Sequence, residues 1–188
     1  MLLYKHFLKE CGKSTIIKTP MFWMPEYMSI GKNVLIWPSC RIEAINRYGK
    51  EEYTPHIIIG DYVNIQQNCH ITAADELRIG NETTISFGVS IQDTDHEYQQ
   101  INVNILQQPL LVKKTTIGEN CFIGSGAKIL AGTVLGRQCI VGANAVVRGI
   151  FPDYCVIAGI PAKIIKRYNL ETKEWARTNA IGEFVNGN

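Results

Sequence analysis

Aliphatic residues recur at every sixth position over most of this chain. From Ile117 the units IGENCF, IGSGAK, ILAGTV, LGRQCI and VGANAV follow one another without a gap, and another opens at Val147. Upstream, with three resets, the same register starts at Ile30, Ile36 and Ile42, at Ile59, Ile65 and Ile71, and at Ile79, Ile85 and Ile91. All fifteen starts are Ile, Leu or Val. A period of six does not fit an α-helix, whereas a short strand plus a corner, repeated three times, closes one eighteen-residue turn of a triangular parallel β-solenoid. The pattern predicts an all-β fold of about five such coils. Each coil pairs with the next, so that no coil is stable alone and the aliphatic stacks form one continuous core.

Other positions of the unit agree. The second is Gly in seven units (31, 60, 80, 118, 124, 136 and 142), as a close approach of neighbouring turns requires. The fifth is Val, Cys, Thr or Ala in eleven. Cys40, Cys69, Cys121 and Cys139 fall there and are expected to be core packing. All three resets follow the third unit of a turn: an excursion at Asn46 to Ile58, two extra residues near Glu76 to Arg78, and a long loop at Glu97 to Thr116. The fifth-position exceptions Asn46, Asp75, Asp95 and Phe151 also lie in third units. That corner is the expected functional edge, because insertions on one face of a repeat array commonly form its binding surface.

Three segments result. Residues 1–29 are expected to be an N-terminal cap. Their cluster of Phe22, Trp23, Met24, Tyr27 and Met28 around Pro20 and Pro25 would cover the open first turn, with acceptor binding the alternative. Residues 30–166 form the repeat domain with its loop at 97–116. Residues 167–188 have helix-compatible spacing near Leu170 to Ala176 and are expected to form a short helix and a loose tail.

Composition narrows the partners. At 188 residues and 46% hydrophobic the chain fits one globular unit. The longest uncharged stretch, Tyr98 to Val112, contains four Gln, two Asn and Pro109, so no membrane span is expected. The start MLLYKHFLKECGKST is broken by Lys5, Lys9, Glu10 and Lys13 and does not read as a secretory signal, which makes the cytoplasm the expected compartment. With 19 basic and 17 acidic residues, net +2, nothing global points to a nucleic-acid partner. The six cysteines contain no CxxC, and disulfides are not needed.

The run IGENCFIGSGAKILAGTVLGRQCIVGANAVVRGIFPDYCVIAGIPAKIIK, closing in a GxPAKxIK-like segment at Gly159 to Lys166, resembles the hexapeptide-repeat acyltransferases. That family includes galactoside, maltose, serine and streptogramin acetyltransferases and many polysaccharide O-acetyltransferases, and the resemblance covers roughly Ile30 to Lys166. It implies a left-handed coil, acetyl-CoA as co-substrate without a required metal, and a homotrimer with active sites between subunits.

Acetyl transfer from a thioester needs a base for the acceptor proton, donors for the oxyanion and a groove for the CoA arm. His96 lies in Asp93-Thr94-Asp95-His96-Glu97-Tyr98, where the third turn gives way to the long loop, and imidazole titrates near neutral pH. The family's catalytic His occupies this place. Asp93, Asp95 or Glu97 are candidates to orient the ring, Asp93 preferred; three acids around a loop are equally a solvated turn. Asn68, twelve residues before Gly80, matches an active-site Asn of the sugar-modifying branch, or belongs to an asparagine ladder at a corner.

For CoA the resemblance points to main-chain groups around Gly124, Ser125, Gly142 and Ala143, which are otherwise plain turn residues, and to Lys163 and Lys166 for the phosphates. Arg148 stands where many relatives have Ser or Thr, and is either an extra phosphate contact or surface charge. Of the remaining histidines, His6 and His56 are expected to be exposed, and His70 to face solvent or the groove. The HxxxxH spacing of the zinc-dependent carbonic anhydrases that share this coil is absent, so no metal site is expected. Cys121, in an inward position, is expected to be buried and inert rather than an acyl carrier. The function expected is O-acetylation of a sugar or surface-polysaccharide precursor by direct transfer. The alternatives are N-acetylation of an aminosugar or antibiotic, or a non-catalytic scaffold.

Overall fold

The computed structural model describes residues 7–185; His6 lies outside the described residues. Three parallel sheets make up the body. The first face runs Glu10–Cys11, Met28–Ile30, His56–Ile59, Glu76–Ile79, Thr115–Ile117, Val134–Leu135 and Ile150–Phe151. The second begins Ile16–Ile17, Leu35–Ile36, Asn64–Ile65, Thr84–Ile85, Phe122–Ile123, Ile140–Val141 and Cys155–Gly159. The third runs Phe22–Trp23, Arg41–Ala44, His70–Ala73, Ser90–Gln92, Lys128–Ile129 and Val146–Val147. Because successive strands of the chain fall on successive faces, and each pairs in parallel with its counterpart one coil on, the architecture is a parallel β-helix.

The register agrees with the six-residue pattern. Ile30, Ile59, Ile79, Ile117 and Leu135 stack on the first face, Ile36, Ile65, Ile85, Ile123 and Val141 on the second, and Ile42, Ile71, Ile91, Ile129 and Val147 on the third. All are buried in one core cluster. Each such side chain contributes about 1.5–3 kcal/mol by leaving water.

Two expectations fail at the ends. The described part of the N-terminal segment is not a cap over the first coil but a coil itself: Glu10–Cys11, Ile16–Ile17 and Phe22–Trp23 extend the three sheets by one strand each, with buried Ile17 and half-buried Trp23 packed on the core. With six strands on the third face, the described residues form six complete coils rather than about five, and Ile150–Phe151 and Cys155–Gly159 begin a seventh. Among the described residues the expected C-terminal helix is likewise absent. Cys155–Gly159 turns back into Ala162–Asn169, which pairs antiparallel with it and with Glu174–Arg177. Tyr168 sits between Tyr154 and Trp175 in this ribbon. An exposed last strand would leave a row of unpaired N–H and C=O groups, and the antiparallel strands satisfy them.

The inward fifth positions do more than fill space. Thr83, fully buried, donates its hydroxyl to the Gly118 carbonyl of the next coil (2.9 Å) and accepts the Cys121 N–H (3.1 Å). Cys121 and Cys139 donate to corner carbonyls of the coil after theirs, at 3.2 and 3.3 Å. Cys40, Cys69, Cys121 and Cys139 are all buried and unpaired as disulfides. Thr83→Val keeps the shape but leaves that carbonyl and amide unbonded. Chemical denaturation should show a loss of about 1–3 kcal/mol, mostly restored in Thr83→Ser.

Among the described residues no helix is long and apolar enough to cross a membrane.

Candidate active site

The corner between the third and first faces carries every long excursion. Three structures meet there: the hairpin Arg47–Tyr48 with Glu51–Glu52, the ribbon Thr94–His96 with Leu110–Val112, and the outer surface of the third face. They enclose a hollow of about 570 Å³ lined by Arg41, Glu43, Tyr48, His70, Thr72, Gln92, Asp95 and His96 among others. His96 ends the ribbon strand, opposite Leu110, with its side chain exposed. Its Nδ1 lies 3.5 Å from the Tyr48 hydroxyl, the outer edge of hydrogen-bond range, and the two rings are tilted at 60° with centroids 5.7 Å apart. Sequence reading did not single out Tyr48; the only signal was that its excursion leaves from the same corner.

None of the three neighbouring acids orients the imidazole. Asp93, the preferred one, is fully buried, and its two carboxylate oxygens accept the Ala74 and Asp75 N–H groups of the preceding coil, each at 2.8 Å. Burial pushes its pKa up, while the two amide donors pull it back. Asp93 is thus a corner staple between coils. Asp95 is in direct ion-pair contact with Arg148, two coils away, and Glu97 accepts the Tyr98 N–H. Arg148, whose role the sequence left open between phosphate contact and surface charge, is therefore engaged by Asp95 beside the catalytic candidate.

His70 faces the groove, with Nε2 3.0 Å from the Thr72 hydroxyl. Partial burial, then the neighbouring Arg41 guanidinium, lower its pKa, so the ring is held neutral near neutral pH. His56 departs from expectation: it is half-buried on the first face, with Nε2 2.9 Å from the Ser29 hydroxyl and its pKa lowered by burial.

The other predicted residues lie at the opposite end of the third-face strands, at the corner between the second and third faces. Asn68 is exposed there in the left-handed conformation (φ 60°), a backbone conformation shared by Ser39, Gly88, Gly126 and Asn144 in their own coils. The ladder reading thus describes its backbone. Five to six extended residues separate this corner from His96, roughly 15–20 Å, so one chain does not bring Asn68 to the imidazole.

Gly124–Ser125 and Gly142–Ala143 stack one above the other at this corner. A Cβ on Gly124 would lie 2.7 Å from the Ala143 nitrogen. Gly142 borders Ala158 in turn, and Ala158 pairs with Lys163. In the pairing with Cys155–Gly159 the register shifts, so that Ile164 faces Ile157 and Lys166 faces Val156, leaving Ile165 as the extra residue. That bulge puts Lys163 and Lys166, both exposed, on the same side of the strand. The small-residue edge and the two lysines form one continuous track suited to a long anionic ligand such as CoA.

Relatives of this chain share the coil. The description "Bacterial transferase hexapeptide (six repeats)" matches residues 114–149. WbbJ of Escherichia coli (strain K12), named for lipopolysaccharide biosynthesis O-acetyl transfer, is 32% identical over 185 residues, covering 94% of this chain and 89% of its own. The chain belongs to the hexapeptide-repeat acyltransferase family. Within that family, the galactoside O-acetyltransferase of Escherichia coli (strain K12) is 27% identical over 173 residues, 92% of this chain and 70% of that one. Among solved structures, the Bacillus cereus N-acyltransferase AntD, in complex with dTDP and 3-hydroxybutyryl-CoA, superposes with a TM-score of 0.73 at 19% identity, covering 90% of this chain and 88% of that one, which is a likeness of fold.

Proposed function

We propose that the protein transfers an acetyl group from acetyl-CoA to a hydroxyl of a sugar, such as a surface-polysaccharide precursor, with His96 as general base. The observation that carries this reading is His96 at the rim of a groove that also holds Arg41, Glu43, His70 and Asp95, at the corner where both long excursions converge. In the tautomer in which Nδ1–H donates to the Tyr48 oxygen, Nε2 is the nitrogen free to take the acceptor proton as its oxygen attacks the thioester carbonyl. As the tetrahedral intermediate collapses, the carbon–sulfur bond breaks and the imidazolium gives its proton to the departing thiolate, which leaves as free CoA thiol. WbbJ, the relative matched over nearly its full length, supports O-transfer over N-transfer.

The coil is read as left-handed and the assembly as a homotrimer in the cytoplasm, where acetyl-CoA is made. In that assembly the Asn68 corner and the Gly124–Lys166 track of one subunit face His96 of the next, which would close the separation found within one chain. Asn68 would then hold the acceptor or the oxyanion.

The test is acceptor-dependent thiol release from acetyl-CoA across sugars, nucleotide-sugars and aminosugars. If no acceptor stimulates release and CoA does not bind at millimolar concentration, the scaffold reading replaces this one. Lys163 carries a separate expectation. Lys163→Ala should weaken CoA about tenfold, from one lost charge-assisted phosphate contact, while leaving dephospho-CoA nearly unchanged. Calorimetric titration reads both, and equal losses would reassign the residue.

A further inference from the structure

A second hollow, of about 550 Å³, adjoins the His96 groove. It lies between the Arg47–Glu52 hairpin and the long loop, with Tyr48, Val103, Leu106 and Pro109 as apolar walls. Tyr48 lines both hollows, and the Pro109–Leu110 peptide divides them, Pro109 on this side and Leu110 on the other. The two cavities are thus neighbouring compartments of one cleft, meeting at an aromatic ring.

The long loop that forms the outer wall is built rather than loose. Gln108, only 2% exposed, accepts the Gln100 N–H and donates to the carbonyls of Gln100 and Val103, at 3.1 to 3.2 Å. Asn104 caps the short turn Ile105–Gln107 by accepting the Leu106 N–H (2.9 Å), and the Leu110 N–H is held by the Tyr53 hydroxyl (3.1 Å). Yet Leu106 remains 66% exposed at the mouth of the hollow. A preorganised loop that holds apolar side chains beside a reaction groove is a binding wall.

Charge selects the occupant. The His96 groove carries Arg41, Glu43, Asp95 and two imidazoles. The second hollow has only Lys50 and Glu51, which cancel, with the amide of Gln107 as a neutral partner. An uncharged ring with an apolar C–H face and rim hydroxyls fits this lining, and a nucleotide diphosphate does not.

We infer that the second hollow is an acceptor subsite for the neutral sugar unit adjoining the one acetylated, so that the preferred acceptor is an oligosaccharide. This rests on the acetyl-transfer reading above. The test measures kcat/KM for thiol release with glucose, maltose and maltotriose, with galactose, galactobiose and galactotriose, and with dTDP-glucose. The wild type and Leu106→Glu are compared; Leu106 is exposed and outside the catalytic groove.

In at least one ladder the second unit should raise kcat/KM about tenfold, the worth of one ring packed on an aromatic wall, and a third should add little. Leu106→Glu should erase that rise and leave the monosaccharide rate unchanged. A flat ladder in an enzyme whose release still depends on His96 overturns the subsite and leaves the transfer reading standing. A rise that survives Leu106→Glu, or dTDP-glucose outrunning both disaccharides, also overturns it. Silence with all of these sugars while CoA binds removes the neutral-sugar acceptor, and the subsite with it.

Discussion

His96→Ala should lower kcat by at least about 100-fold, the usual contribution of a positioned general base, while acetyl-CoA affinity stays within a few-fold of wild type. The imidazole belongs to the ribbon at the corner between the third and first faces, and the small-residue track with Lys163 and Lys166 lies toward the corner between the second and third faces, so deleting the ring removes no group from the track. Folding is not at risk either. The side chain is exposed, and the Tyr48 hydroxyl, its hydrogen-bond partner, lies at the limit of bonding distance. Steady-state thiol release and calorimetric binding on the same preparation separate the effects. Wild-type turnover in the variant would end the general-base assignment.

Gly80→Ala should destabilise the fold by about 3 kcal/mol, the upper range for an overpacked interior, though it adds a single methyl group. The added Cβ would lie 2.6 Å from the Gly118 carbonyl carbon and 2.7 Å from the Glu119 nitrogen, and both are backbone of the next coil. Backbone cannot swing aside as a flexible side chain would. Gly31, Gly60, Gly80, Gly118 and Gly136 form one column in which each glycine makes room for the next turn. A local change therefore forces the coils apart and weakens the ladder on either side. Urea unfolding of the variant measures the loss, and a change under 1 kcal/mol would show that the coils can slide at this corner.

The body of the fold was legible because one physical demand repeats: every sixth residue must be aliphatic to fill the axis, and the glycine corner must stay clear. The first coil was missed because Cys11 and Trp23 stand where Ile, Leu or Val were sought, although Gly12, Thr15 and Ile17 already hold the register. The C-terminal ribbon was missed because helix-compatible spacing over Leu170 to Ala176 is a weak local preference. The unpaired edge of Cys155–Gly159, a demand set by tertiary structure, overrode it. At the site, His96 stood out by its place at the break in the repeat. Asp93 was misjudged although a signal existed: it lies two residues after inward-pointing Ile91 and shares its face, so burial followed from strand alternation. Tyr48 lies in an excursion with no period, and only folding shows that it meets His96.

The excursions at the corner between the third and first faces interrupt the chain without interrupting the ladders. Gln92 and Thr115 are separated by a long detour, yet Thr115 donates its hydroxyl to the Gln92 carbonyl (2.9 Å) and the next first-face strand resumes in register. Scaffold and cleft are therefore structurally separable. Substitutions, insertions or whole replacements within 46–55 and 97–109 can redraw what the enzyme accepts while the sheets are inherited unchanged. Because the ladders close across both breaks, a laboratory can exchange these two segments between relatives as cassettes.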